Sequence, residues 1–272
     1  MQKKVILITG ASSGFGYEVA KNLTETGLWE VYVAARRLDK MKGLEELGAH
    51  AIKMDVTDDG QVDLGLKNIM AEQGRIDVVL ANAGYGAYGT IETITMDDIK
   101  YQYDVNVFGV ARTLKAVLPI MRKQKSGRII LTSSLVSNIS MKGLGWYAST
   151  KHALRAVGVA LRQEVKNLGI KVIMIEPGAV KTGFDSVAIN ALQKIDFPDD
   201  YKDDMEKFDK YLSDTYERCP DAKKTVDDII RAITAKKPKM VYRTTIDSKI
   251  FSFIKRFLSE KVYDKISMGQ IK

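Results

Sequence analysis

Two side chains in the stretch Gly145-Trp146-Tyr147-Ala148-Ser149-Thr150-Lys151 could together move a proton. Tyr147 and Lys151 lie four residues apart, so on a helix they share a face, one above the other. A phenol alone is a poor base near neutral pH, its reference pKa being about 10. An ammonium held roughly 4 Å away, at an effective dielectric of about 20, favours the phenolate by about 4 kcal/mol. That is about three pKa units, enough to bring a phenol into working range. The pair on its own has an ordinary reading too, a half-buried helix face. Ser134, the last of Thr132-Ser133-Ser134, precedes Tyr147 by thirteen residues. The intervening loop, Val136 to Leu144, contains glycine and can return the chain so that the two hydroxyls converge, although hydroxyls at a strand end are common turn chemistry. Asn106, between Val105 and Val107, reads as a satisfied core amide unless it lies beside Lys151.

The apolar runs supply a scaffold for these residues. Lys4 to Thr9 reads as a central parallel strand covered on both faces. Gly10-Ala11-Ser12-Ser13-Gly14-Phe15-Gly16 follows and leads into a helical stripe of Val19, Ala20 and Leu23, closed by Gly27. Strand, glycine-rich turn and helix aim helix N-terminal amides at a pyrophosphate, although turn glycines can also be purely structural. Val31 to Ala35 reads as the second strand, and Arg36-Arg37 follows at once. An NAD enzyme usually carries an acid here for the ribose hydroxyl, whereas arginine accommodates the 2′-phosphate, so the pair favours NADP (NADPH) over NAD. Ala51 to Lys53, Ile76 to Ala81, Arg128 to Leu131 and Ile170 to Ile175 read as further strands, with Met96 to Gln124 mostly helical. Asp55-Val56, Asn82-Ala83-Gly84 and Pro177-Gly178-Ala179-Val180-Lys181-Thr182 follow strand ends, where ligands collect in open α/β sheets. The alternation argues an α/β fold with a doubly wound parallel sheet flanked by helices.

Composition narrows the class. The chain has 272 residues and one cysteine, Cys219, which excludes an internal disulfide framework. With only His50 and His152 beside it, no clustered His/Cys metal site is expected. The apolar run after Lys3-Lys4 is too short for an export signal, and no run approaches the roughly 18 residues of a membrane span, so the protein reads as soluble and cytoplasmic. The net charge of +8 lies wholly in residues 222–272, with 13 Lys/Arg against 5 Asp/Glu, behind an acidic stretch at 185–221. Mutual pairing is the simplest use of that asymmetry, and no groove-entering or base-stacking element points to nucleic acid.

Together TGASSGFG (Thr9–Gly16), ANAG (Ala81–Gly84), Asn106, Ser134, YASTK (Tyr147–Lys151) and PGAVKT (Pro177–Thr182) resemble the short-chain dehydrogenase/reductase family over roughly residues 3–183. One departure is Ala81, where the family usually has a second asparagine. The resemblance implies a single Rossmann-type domain, residues 1–272, with about seven strands. Within it, 1–183 would be the cofactor and catalytic core, 184–224 a variable substrate lid, and 225–272 a helix, a strand and an amphipathic helix. It implies hydride transfer with Tyr147 as proton carrier, Lys151 lowering its pKa and holding the nicotinamide ribose, and Ser134 on the substrate oxygen. Asn106 would hold a water leading from Lys151 to solvent. Gly10, Gly14 and Gly16, with the neighbouring Ser13 and Phe15, would admit the pyrophosphate. Ser12 and Arg36, beside Arg37, would meet the 2′-phosphate, and Asp55 and Val56 the adenine. Asn82, with Ala83 and Gly84, would meet the adenine ribose, and Thr182, with Pro177, Gly178 and Val180, the nicotinamide end.

Beyond Thr182 the family pattern stops. Asp199 to Tyr216 reads as an amphipathic helix carrying Met205, Phe208 and Leu212, suited to a lid, and Thr225 to Ala235 as a helix opened by a Thr-x-x-Asp cap. Met240 to Tyr242 reads as a seventh strand. From Ile246 to Ser267 a stripe of Ile250, Phe253, Ile254, Phe257, Leu258 and Val262 lies among Lys249, Lys255, Arg256, Lys261 and Lys265. That piece would cover the substrate cleft or core first of all, or else lie on an anionic membrane surface or dock on a partner subunit. The layout is most similar to the hydroxysteroid- and retinol-dehydrogenase-like branch, which implies a lipophilic carbonyl or alcohol substrate of steroid, retinoid or similar type. A homodimer or homotetramer is implied by resemblance alone. The competing class is a non-catalytic NADP(H)-binding or membrane-peripheral protein.

Overall fold

The structure, a computed structural model, describes residues 2–269. Seven strands form one parallel sheet: β1 (Lys4–Thr9), β2 (Trp29–Ala35), β3 (His50–Lys53), β4 (Val78–Ala81), β5 (Gly127–Thr132), β6 (Ile170–Glu176) and β7 (Val241–Arg243). Their order is β3-β2-β1-β4-β5-β6-β7, so the winding reverses between β1 and β4, where a crevice opens in such sheets. The helices are α1 (Gly14–Glu25), α2 (Lys42–Glu46), α3 (Asp59–Gln73), α4 (Met96–Tyr103), α5 (Gly109–Gln124), α6 (Gly145–Glu164), α7 (Phe184–Leu192), α8 (Asp199–Arg218), α9 (Lys223–Thr234), α10 (Ile246–Ile254) and α11 (Glu260–Gly269).

Alternate residues along each strand feed two core layers, as the twofold strand period requires. Val5, Leu7, Val79, Ile129 and Val172 pack with Leu66 of α3, Val117 of α5 and Leu154 of α6. Ile6, Ile8, Leu80, Ile130 and Ile173 pack on the other face with Val19 and Leu23 of α1 and Ile229 and Ile233 of α9. Both faces being covered explains why the strands read as unbroken apolar runs. The doubly wound sheet is the fold expected, with element ends moved by a residue or two. β4 starts at Val78; just before it the Asp77 carboxylate accepts from Val5 N at 2.8 Å and pairs with Arg75.

The long helical stretch is interrupted at Asp104–Phe108 by a π turn, with Gly109 N reaching back to Asp104 O. Asn106 sits inside it. Such turns mark the place where a side chain is re-aimed within a helix.

Four expectations after residue 184 need correction. α9 starts at Lys223, so Thr225 is inside the helix; its buried hydroxyl bonds Thr244 Oγ1 at 2.8 Å and caps nothing. The acidic and basic segments do not pair among the described residues. Their ion pairs are local, such as Lys207–Asp203 and Lys224–Asp228, or go elsewhere, as Lys142–Asp204 does. The C-terminal piece is two helices broken at residues 255–259, not one. Its apolar stripe does not cover the core: Ile250 is 48% exposed, Phe253 62% and Phe257 74%. Ser248 and Ser252 are the buried positions of α10, and it is Phe251 that packs inward with Tyr263 of α11.

One buried charge cluster fixes the end of β6. Glu176 is fully buried, its carboxylate bonded to Arg155 of α6, accepting from Asn138 Nδ2 at 3.1 Å, with Arg243 Nε of β7 at 3.2 Å. Glu176→Ala leaves two guanidinium groups without their anion and is expected to lower unfolding free energy by about 3 kcal/mol, read by denaturant titration. Arg155→Ala is expected to cost less than Glu176→Ala, because the Glu176 carboxylate keeps Arg243 and Asn138.

Candidate active site

Three strand ends converge above the sheet. Thr9 closes β1, and its hydroxyl accepts from the main-chain N of Asn82 at 3.0 Å and of Ala83 at 3.2 Å, both just past β4. The Asn82 side-chain amide donates to the carbonyls of Thr9 and Gly10 and accepts from Thr132 Oγ1 of β5 at 3.2 Å. Its side chain is thus occupied by the protein, and only main-chain atoms of Asn82–Gly84 are left for a ligand ribose.

The glycine-rich turn is forced by close approach. A Cβ on Gly10, whose φ is +67°, would lie 2.7 Å from Ala83 Cα. One on Gly16 would lie 2.7 Å from both Asn82 Nδ2 and Gly10 O. A Cβ on Gly14 would come within 3.3 Å of Thr182 O, so the turn and the segment after β6 are neighbours. Ser13 makes no side-chain cap at α1, and the first turn of that helix holds no acid. Uncapped amides, missing Cβ atoms and a positive helix terminus are what a dinucleotide pyrophosphate needs, so the residues fit the expected group. Ser12 is half-buried beside them, while the Phe15 side chain packs on the α1 core layer.

Arg36 and Arg37 are both exposed just past β2, and Arg36 Nη1 donates to Tyr101 OH of α4. Tyr101 meets Tyr85 edge-on at 5.0 Å. Asp55 accepts from Thr57 N at 3.0 Å in a tight turn, and buried Val56 abuts Gly109 of α5.

Ser134, Tyr147 and Lys151 come together at the end of β5. The Ser134 side chain is near enough to the Tyr147 phenol to favour its ionised form, and Lys151 Nζ lies 5.7 Å from the Tyr147 ring centre while donating to Thr132 O at 3.1 Å. A Cβ on Gly84 would stand 3.7 Å from Asn106 Oδ1 and 3.9 Å from Lys151 Nζ, so Asn106 does lie beside the lysine. Its side chain is fully buried and engaged: Oδ1 accepts from Tyr85 N, and Nδ2 donates to Tyr85 O and Thr150 Oγ1. Both of its donors are used, so no side-chain N–H remains for the expected water.

The electrostatics differ from the expectation for an ammonium drawing the phenol down. Burial pushes Tyr147 above the ordinary phenol range, the nearby Tyr216 pushes it further, and the Ser134 side chain pulls only part of the way back. Burial lowers Lys151 from 10.5 to about 8, so the ammonium is itself less charged than a surface lysine. The reason is enclosure: Tyr147 is 8% and Lys151 4% exposed.

Two residues that sequence reasoning passed over, Tyr88 and Phe184, help to build that enclosure. Tyr88 meets Tyr147 edge-on at 5.5 Å and Phe184 tilts over it at 5.8 Å. Met205, Phe208 and Leu212 of α8 complete the wall with Leu135, Val136 and Leu144. The Tyr-Gly clustering at 85–89 was the one available signal for Tyr88; Phe184 lies where no pattern is readable.

The crevice at the winding reversal, the glycine turn and the Tyr/Lys pair define an α/β oxidoreductase of the dinucleotide-binding kind. The short chain dehydrogenase family matches residues 4–191, and the chain belongs to that family. The uncharacterized oxidoreductase YbbO of Escherichia coli (strain K12) is 33% identical over 270 residues, covering 99% of this chain and 96% of that protein. A 3-ketodihydrosphingosine reductase of Bacteroides thetaiotaomicron is 40% identical over 205 residues, 74% of each chain. A short-chain dehydrogenase structure from Streptomyces avermitilis superposes with a TM-score of 0.81 at 28% identity, covering 99% of this chain and 98% of that one. Structures sharing the fold hold NAD in some cases and NADP in others.

Lys151 offers a direct check. Its folded pKa lies below 10.5, so between about pH 8 and 10.5 the unfolded chain binds the extra proton and this group's contribution to stability rises with pH. With 13C-labelled lysine side chains, one resonance is expected to titrate near pH 8 and to vanish in Lys151→Met. Titration of every lysine at ordinary values would contradict the buried assignment.

Proposed function

We propose that this protein is an NADP(H)-dependent oxidoreductase that interconverts a carbonyl and a primary or secondary alcohol on a lipophilic substrate in the cytoplasm, with reduction the working direction. The observation that carries this reading is the meeting of Ser134, Tyr147 and Lys151 within an apolar wall at the end of β5. Bound NADPH would supply the hydride. The Tyr147 hydroxyl donates its proton to the substrate oxygen, and a phenol held protonated by burial is in the right state for that step. Ser134 orients the same oxygen and stabilises charge gathering on it. Lys151 holds the nicotinamide ribose and, near its lowered pKa, can pass a proton toward Tyr147. Asn106 fixes the Tyr85 turn beside the lysine. Ser12, Arg36 and Arg37 serve the 2′-phosphate, Gly10 to Gly16 the pyrophosphate, Asp55 and Val56 the adenine, and Pro177 to Thr182 the nicotinamide end.

A steroid-, retinoid- or similar-type substrate suits the wall of Tyr88, Phe184, Met205 and Phe208, and the relative named as a 3-ketodihydrosphingosine reductase supports reduction of a ketone. Phe108 and Val157, exposed on the helical stretches that hold Asn106 and Tyr147, support a homodimer or homotetramer. The bare stripe of α10 and α11 with Lys249, Arg256, Lys261 and Lys265 rests on an anionic membrane surface, to which its charge is complementary. Co-sedimentation with phosphatidylglycerol vesicles, weakened by salt and by Phe257→Ser, checks this. Equal binding to phosphatidylcholine, or self-association through the stripe, would refute it.

Tyr147→Phe is expected to lower kcat/KM by about 10²–10⁴-fold while cofactor affinity stands. A non-catalytic binding protein would be indifferent to that change. Arg36→Ala is expected to weaken NADPH by about tenfold or more and to leave NADH unchanged, read by fluorescence titration. Tighter NADH than NADPH in the wild type would reverse the cofactor assignment and leave the role of Tyr147 standing.

A further inference from the structure

The turn after β6 is held from two sides. On one side Leu135 N, next to Ser134, donates to Pro177 O at 2.7 Å, and Ser133 N donates to Ile175 O at 2.8 Å. On the other side the start of α10 supplies three consecutive polar contacts. Gly178 N donates to Thr245 Oγ1 at 2.8 Å, Ala179 N donates to Asp247 Oδ2 at 3.3 Å, and Ser248 Oγ donates to Glu176 O at 2.6 Å. Thr245 and Ser248 are buried, and the Ser248–Glu176 bond is shielded from water. A Cβ on Gly178 would fall 1.9 Å from Asp247 Oδ2 and 2.4 Å from Cγ and Oδ1, so a side chain at residue 178 would displace the carboxylate. The far end of the same segment, Thr182, reaches the glycine-rich turn at Gly14.

We propose that Thr245, Asp247 and Ser248 are positioning residues for the nicotinamide half of the cofactor, holding Pro177–Thr182 between α10 and the Ser134 turn. This rests on the reading above that Pro177–Thr182 meets the nicotinamide end. The clamp sets the distance between that segment and the Ser134–Tyr147 pair. Releasing it loosens the nicotinamide half of the site and leaves the adenosine half, built on α1 and β2, as it was.

The test compares binding of NADPH, by fluorescence, with binding of 2′,5′-ADP, by calorimetry, and records the thermal midpoint of each variant. Should NADH prove the tighter ligand, NADH and ADP take their places. Asp247→Ala is expected to raise the NADPH Kd about tenfold and to leave 2′,5′-ADP unchanged. Asp247→Asn keeps an acceptor for Ala179 N and is expected to retain most of the affinity. Gly178→Ala should reproduce the loss, and Gly178→Ala combined with Asp247→Ala should be no worse than Asp247→Ala alone, because the colliding carboxylate is gone. Unchanged NADPH affinity in Asp247→Ala, an equal loss for 2′,5′-ADP, or additive losses in the double variant would overturn the clamp. A wild-type protein that binds neither nucleotide would instead sink the cofactor reading itself.

Discussion

One side-chain amide, that of Asn82, holds the place where the sheet changes direction. Helices leaving β1 and β4 diverge to opposite faces, so main-chain groups at those strand ends lack ladder partners and must find others. Asn82 supplies them, bonding Thr9 and Gly10 carbonyls and the Thr132 hydroxyl, while Thr9 Oγ1 returns bonds to the Asn82 and Ala83 amides. The spacing of the glycine-rich turn follows from this. Residue 16 can carry no Cβ because the Asn82 amide occupies that space, and residue 10 none because Ala83 does. The motifs TGASSGFG and ANAG, more than sixty residues apart, are two halves of one contact. The ligand crevice is what remains once they have closed.

The proton-carrying pair depends on a second constraint, removal of water. An ammonium near a phenol favours the phenolate only while the ammonium keeps its charge. α7 and α8 exclude solvent from Tyr147, Lys151 is buried beside it, and desolvation moves each toward its neutral form. The same enclosure therefore forms the apolar wall around Tyr147 and favours its neutral form. Helices held further from Tyr147 would leave a lower phenol pKa and a weaker apolar wall together, so the two properties are linked.

Much of this was legible in the chain. Continuous apolar runs marked the central strands, because a parallel strand buried on both faces leaves no polar alternation to blur it, whereas the edge strands β3 and β7 are short and partly exposed. Ser134 follows β5 and Tyr147 opens α6, with a 3-10 turn at Leu135–Ser137 in the connection between them. What could not be read were partners brought in by remote segments. Tyr88, Phe184 and Tyr216 act on Tyr147 from three separate stretches, none periodic around the tyrosine, and with them goes the direction of its pKa. Thr225 had the spelling of a cap, but the helix gained two residues ahead of it and turned its hydroxyl toward Thr244. Clusters of opposite charge next to each other in sequence suggested pairing, yet acids on α8 found lysines one turn away more readily than the basic helices beyond.

The orientation of α10 shows why an amphipathic stripe alone does not say which way a helix faces. Rotating it to bury Ile250, Phe253 and Ile254 would gain about 1.5–3 kcal/mol per side chain. It would also strip Gly178 N, Ala179 N and Glu176 O of their partners, at about 1–3 kcal/mol for each buried group left unmade. The two sides are of similar size, so apolar burial does not decide the matter. The small serines at 248 and 252 let the helix approach β6 closely, and the inward turn of Phe251 recovers part of the apolar gain on the polar-bonded face. A helix so held joins the turn beside Ser134 on one side to an uncovered apolar and basic surface on the other.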